Sequence, residues 1–191
     1  MHKSYIVDPE TGKLLTAQEW KDKAGDKVNT AKIVAIVPDD GSPAIAFPVE
    51  VFPSKKWEAA MELAKAYKAP HPIEGSDGTF NLPTRKQAVD FRIARESGLD
   101  QLLEMIGADD CLDQFDSWGW TCERYVPRGT SEDRWSCVCY SSSTAWFYND
   151  YGMSVLTGFS ISWTVRPVTL LHLDLKPCGE VAEAQAAQGA E

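Results

Sequence analysis

Apolar and polar positions change their rhythm twice along this chain. Tyr5-Ile6-Val7 is a short extended run, stopped by the turn-forming Asp8-Pro9-Glu10-Thr11-Gly12. Thr16 followed by Glu19 has the spacing of a capping box, which predicts a short helix over 17–23 ending near Gly25. A compact β-branched run at 32–37, the turn Asp39-Asp40-Gly41-Ser42 and a return at 44–51 predict a hairpin. The period then becomes helical. Over 55–68 the apolar residues Trp57, Ala60, Met61, Ala64 and Tyr67 recur on one face, and Pro70 and Pro72 end the pattern. A loop at 71–81 leads to Leu82-Pro83-Thr84, where Thr84 and Gln87 form a second capping box. The helix it opens runs from Arg85 to about Ser97, with Ala88, Phe91 and Arg95 along one side and Gly98 as its stop. One or two more turns follow up to Gly107. After Asp109-Asp110 no helical period returns. Short strand-like runs are predicted at 118–123, 135–139, 145–148 and 163–171. Strands at both ends with helices between them predict an α+β fold rather than an alternating parallel one. The first and last long strands, near Ile33 and Val168, are expected to pair.

Charge distribution alters this picture at one place. The segment 136–163 carries a single charged residue, Asp150, although 25% of the chain is charged. It is crowded with Ser, Tyr, Phe and Trp. Tyr and Trp give large contact area at low entropy cost, and Ser gives adaptable hydrogen bonds, which is the make-up of an evolved binding surface. Strands buried on both faces would also exclude charge.

The chain as a whole is globular in composition, with 43% hydrophobic residues over 191 positions. Its net charge of -9 sets it against phosphate backbones, so nucleic acid is not an expected partner. No run approaches the ~20 apolar residues of a membrane span, and no secretory signal is expected. Cys111, Cys122, Cys137, Cys139 and Cys178 are odd in number and irregular in spacing, which points to reduced thiols. On a strand, Cys137 and Cys139 would stand about 6.6 Å apart at Cα, poorly directed for a disulfide.

Three signals occur in order: Leu82-Pro83-Thr84-Arg85 opening a helix, Trp-Ser or Trp-Thr with Ala145-Trp146, and Val165-Arg166-Pro167-Val168. Together, over roughly 33–171, they resemble the C-type lectin-like fold in its formylglycine-generating-enzyme-like branch. Within it the chain is most similar to the variable proteins of diversity-generating retroelements. In those proteins template-directed mutagenesis rewrites a C-terminal segment on a fixed scaffold. The resemblance implies two main helices, paired N- and C-terminal strands and a C-terminal antiparallel sheet and loop region. It implies an N-terminal extension (1–31) and a lectin-like domain (32–175) with a binding segment near 135–164; the small, polar and acidic composition of the last residues predicts a disordered acidic tail (176–191). Trp135, Ala145, Trp146, Gly152, Val165, Arg166, Pro167 and Val168 would be scaffold. Val138, Tyr140, Ser142, Ser143, Thr144, Tyr148, Asp150, Tyr151, Ser154, Leu156, Thr157, Phe159, Ser160 and Ser162 would face ligand. The implied partner is a protein or glycan on a cell surface, engaged from a bacterial or phage adhesion protein. Such a protein would be made in the cytoplasm and displayed on a virion tail or cell surface, as a homo-oligomer or part of an assembly. Phe80-Asn81 stands where relatives often have Trp-Arg. Two runs, Trp120-Thr121-Cys122 and Trp135-Ser136-Cys137, compete as the start of the segment.

Sharper chemistry finds less support in the residues. Trp146-Phe147-Tyr148-Asn149-Asp150 loosely echoes a calcium-lectin run, but calcium takes about six to eight oxygen ligands and this region offers one carboxylate. His2, His71 and His172 are scattered, and no Cys-x2-Cys spacing suits zinc. An oxidase of the formylglycine-generating type would use Cys137 and Cys139, yet a reactive thiol needs a basic or dipolar setting and Arg134 is the nearest cation in sequence. Asp109, Asp110, Asp113 and Asp116 read as solvated loop charges. Arg166 is expected to pair with a core carboxylate or backbone carbonyls and lock the closing strand. The expectation is a non-enzymatic binding protein without cofactor or metal, with the oxidase or a structural module of a surface assembly as alternatives.

Overall fold

The computed structural model describes residues 1–115, 119–124, 144–149, 152–158, 162 and 164–173; at 120, 123, 124, 144–149 and 152–158 the description is of the backbone. The chain is a mixed α+β protein with two antiparallel sheets. One has the order β2 (Leu14–Leu15), β1 (Lys3–Val7), β3 (Ile33–Val37), β4 (Ala44–Pro48) and β8 (Thr169–Leu171). The other has the order β5 (Gly119–Arg124), β6 (Thr144–Asn149) and β7 (Gly152–Gly158).

The large sheet is apolar on both faces, which is why Ile33-Val34-Ala35-Ile36 reads as a continuous hydrophobic run. Val34, Ile36, Ile45 and Phe47 face a core that also holds Trp20, Phe91, Leu103, Ile106 and Phe115. Ile33, Ala35, Ala44 and Ala46 face Ile73, Phe80 and Leu171. The hairpin register is Val34 opposite Phe47 and Ile36 opposite Ile45. The 1–31 segment, expected as an extension, contributes β1, β2 and α1 (Ala17–Ala24) to this same unit. Ile6 and Trp20 are buried in its core, and Trp20 Nε1 donates to the Val28 carbonyl at 2.9 Å.

Both capping boxes form. Thr16 caps α1 with Glu19, and Thr84 caps α3 (Arg85–Ala94) with Gln87. The expected 55–68 helix is α2 (Trp57–Ala66), burying Trp57, Ala60 and Ala64. Gly98, at φ 110, bends the chain rather than ending the helical region. A π-turn at Arg95–Leu99 passes directly into α4 (Asp100–Met105).

Three expectations are corrected. The closing strand β8 pairs with β4, as Ala44 opposite Leu171 and Ala46 opposite Thr169, not with the strand at Ile33. Both edges of β3 are already taken, by β1 and β4. Residues 109–115 form a helix, α5 (Asp109–Phe115), where no helical period was expected. Ala108, Cys111, Leu112 and Phe115 recur at helical spacing on its apolar face, a pattern of barely two turns, and Asp109, Asp110 and Asp113 lie on this helix, exposed. The expected 163–171 strand is interrupted: Thr164 and Val168 make isolated bridges, and pairing with β4 starts at Thr169. Pro167 has no N–H to give a ladder, while Val165 and Arg166 turn into the interior.

Candidate functional site

The two described motif segments meet, and they carry the second sheet. Asn81 and Val168 exchange both backbone hydrogen bonds, at 2.9 and 2.8 Å. Leu82 and Val165 pack with Trp57, Ala60 and Ala64, with Cys122 beside them. From this knot three links reach β5, two of them between backbone groups and one from a side chain. Cys122 N–H donates to the Pro83 carbonyl at 2.9 Å, Trp57 Nε1 donates to the Thr121 carbonyl at 2.9 Å, and Gly119 bridges Thr164. Helix α3 lies against β5, β6 and β7 as well as β3, so one helix backs both sheets.

Arg166 is 4% exposed and sits at the centre of this frame. Its guanidinium carbon lies 3.5 Å from the Phe115 ring centroid and 5.7 Å from that of Phe91. The expected carboxylate or carbonyl partner is replaced by aromatic faces, and Nη2 is buried without a hydrogen bond. The planar, weakly hydrated guanidinium suits this stacking, whereas an ammonium would not. Cys111 is also buried here, and desolvation pushes its thiol up despite the nearby Arg166 charge. A thiol held in that form is a poor nucleophile.

The register of the small sheet places the candidate ligand-facing residues. Thr144 stands opposite Gly158, Tyr148 opposite Met153, Ser154 opposite Phe147 and Thr157 opposite Ala145. A bulge between Ala145 and Trp146 leaves Leu156 as the extra residue on β7. Directly opposed residues share a face. Thr144 and Tyr148 therefore fall at the same parity as Trp146, and Ser154 and Thr157 at that of Ala145. The candidate set is divided between the two faces rather than gathered on one. Ser162 is exposed. Val138, Tyr140, Ser142, Ser143, Asp150, Tyr151, Phe159, Ser160 and the scaffold candidate Trp135 lie outside the described residues, as do Cys137 and Cys139. Pro167 and Val168 are buried, as scaffold residues would be.

Other polar groups fall into separate places. His2 is buried between two carboxylates, with Nδ1 3.0 Å from Asp39 and Nε2 3.0 Å from the buried Asp90. Lys86 pairs with Asp90 and, at 3.0 Å, with Asp40. At the other end of the sheet, burial would raise the Asp8 carboxyl, but bonds from Lys23, Thr11 and the Glu10 N–H hold it down at about 2. Among the described residues no three His, Cys, Asp or Glu side chains converge to hold a metal ion, and no helix is long and apolar enough to cross a membrane.

One groove went unread in the sequence. It encloses about 320 Å³ between β8, the 77–87 stretch and Cys122. Its polar lining is pinned by backbone. Asn81 Oδ1 accepts from Leu82 N–H at 2.9 Å, Gln87 Oε1 from Thr84 N–H at 2.7 Å, and Asp77 Oδ1 from Thr79 N–H at 2.8 Å. Gln87 was legible only as a capping residue, and nothing in the local pattern marks the half of its amide left over. A second cavity, about 500 Å³, is bounded by Val49, Tyr67, Ile106 and Cys111; burial and the neighbouring Glu50 charge push the Tyr67 phenol well above its ordinary value. No protein-family model, curated protein or solved structure matches this chain.

Proposed function

We propose that the chain is a non-enzymatic ligand-binding protein with a C-type lectin-like fold, a variable protein of a diversity-generating retroelement. Its C-terminal segment presents a Tyr-, Ser- and Phe-rich face to a protein or glycan on a cell surface, in a phage or bacterial adhesion setting. Binding is by surface complementarity, with aromatic anchors inside a polar rim. The observation that carries this reading is the knot of the 81–84 and 164–168 segments. It holds the second sheet through backbone bonds and buried residues that lie outside the charge-poor strands β6 and β7. A frame of this kind tolerates many side-chain sets on the strands it supports.

The test is the DNA around the gene together with sibling sequences. A near-copy of the segment coding for 135–168, a reverse transcriptase gene, and differences concentrated at the residues named above are the expected finding. Differences spread evenly over the chain would overturn the reading.

A further inference from the structure

We propose that the groove beside β8 binds a short extended peptide, which adds to the sheet at Leu170. The inference starts from alternation. Along a strand, the N–H and C=O of successive residues point to opposite edges. Val168 bonds outward to Asn81, and His172 N–H bonds outward to the Gly75 carbonyl at 2.8 Å. Thr169 and Leu171 pair inward with β4. The N–H and C=O of Leu170 therefore also point outward, between the two bridges, and no other described group bonds them. The covering loop diverges here: six steps of chain from Gly75 to Asn81 span four from Val168 to His172. Gly75 is fixed at the close end, because a Cβ there would lie 2.8 Å from the His172 carbonyl oxygen.

The surroundings match a peptide backbone. Asn81 Nδ2 and Gln87 Nε2 are donors with no partner among the described residues, in side chains whose oxygens are already fixed, so little entropy is lost in using them. Asp77 keeps Oδ2 free to accept an N–H, and its Thr79 bonds, with the nearby His172 charge, hold the carboxyl below its ordinary range. Leu170 is 43% exposed, one of few large apolar side chains in the open among the described residues, whereas Leu82 and Val168 at the groove wall are buried. Phe80 is 4% exposed, so no aromatic face is offered to a sugar ring. One open N–H and C=O pair between two bridges, with side-chain amide donors and the exposed Leu170 alongside, accepts a single residue of peptide backbone, the shortest form of β-strand addition.

The probe is acetyl-Ala-Leu-Ala-amide, titrated into the full chain while amide shifts and hydrogen exchange are followed by NMR. The expected result is a saturable shift at Leu170 with slowed exchange of its amide. Leu170→Pro removes the N–H at an edge position that tolerates proline. Gln87→Glu keeps the oxygen that caps α3 and removes the donor. Each is expected to weaken binding about tenfold. Should Leu170→Pro fail to fold, Gln87→Glu and Asn81→Asp decide. The proposal is overturned by the absence of a saturable shift at Leu170, or by undiminished binding in the folded variants. It also fails if the Leu170 amide is already protected without probe, or if methyl mannoside reproduces the shifts where the peptide does not.

Discussion

The two sheets are built on different principles. The five-stranded sheet is held by side chains: Val34, Ile36, Ile45 and Phe47 on one face and Ile33, Ala35, Ala44 and Ala46 on the other are all buried. The three-stranded sheet is tied to the rest at its β5 edge, by backbone pairing at Pro83 and Thr164, by the Trp57 indole on the Thr121 carbonyl, and by the α3 helix behind it. Where side chains supply the hold, sequence is constrained at every position. In the second sheet the described ties all fall on β5, at Gly119, Thr121 and Cys122. That contrast is what the proposed reading, a fixed frame carrying a changeable surface, requires.

Removing a core side chain from the helix that both sheets share should break the contrast. Phe91 lies in edge contact with Phe47, 5.1 Å between centroids, and 5.3 Å from Phe115, on the helix that backs both sheets. Phe91→Ala is expected to cost about 3–5 kcal/mol in urea unfolding and to lose both sheets in one transition. Arg166→Ala should cost about 2 kcal/mol through the lost stacking over Phe115. Arg166→Met, which refills the space and removes a buried unbonded nitrogen, should cost less than half of that. A cost in Met equal to that in Ala would mean an uncharacterised polar partner dominates.

Asp8→Asn probes the large sheet alone. Its folded value is lowered from 3.8 to about 2, so its contribution is complete above about pH 5 and is lost as pH falls through 2. The variant should be less stable by about 1–2 kcal/mol at pH 7, and the gap should shrink steadily as pH falls from about 5 to 2. A gap that stays constant from pH 7 to pH 2 would remove the ion pair from the explanation. Smallest of all, Thr144→Ala, Ser154→Ala and Thr157→Ala should each change stability by no more than about 0.5 kcal/mol.

How much of this was legible follows the same division. The hairpin, both capping boxes and α2 follow from local pattern, because each depends on residues within a few positions of one another. The motifs at 82–84 and 165–168 stood out in the sequence, but their mutual contact depends on the Asn81–Val168 bridge, which no local spacing reveals. The pairing of β8 with β4 required knowing that β1 occupies the other edge of β3. Arg166 was legible as structural, yet its partner was not, since Phe91 and Phe115 carry no charge to suggest it. The groove at Leu170 is a property of backbone direction, which composition does not encode.

The most direct test of a backbone-held frame is urea unfolding of a block variant in which Thr144, Tyr148, Ser154, Leu156, Thr157 and Ser162 are replaced together, set beside Val165→Ala. The expected result is a midpoint close to that of the unaltered chain for the block and a clear loss for Val165→Ala, with ligand selectivity changed only in the block. A block variant as destabilised as Val165→Ala, with binding preserved, would contradict the account.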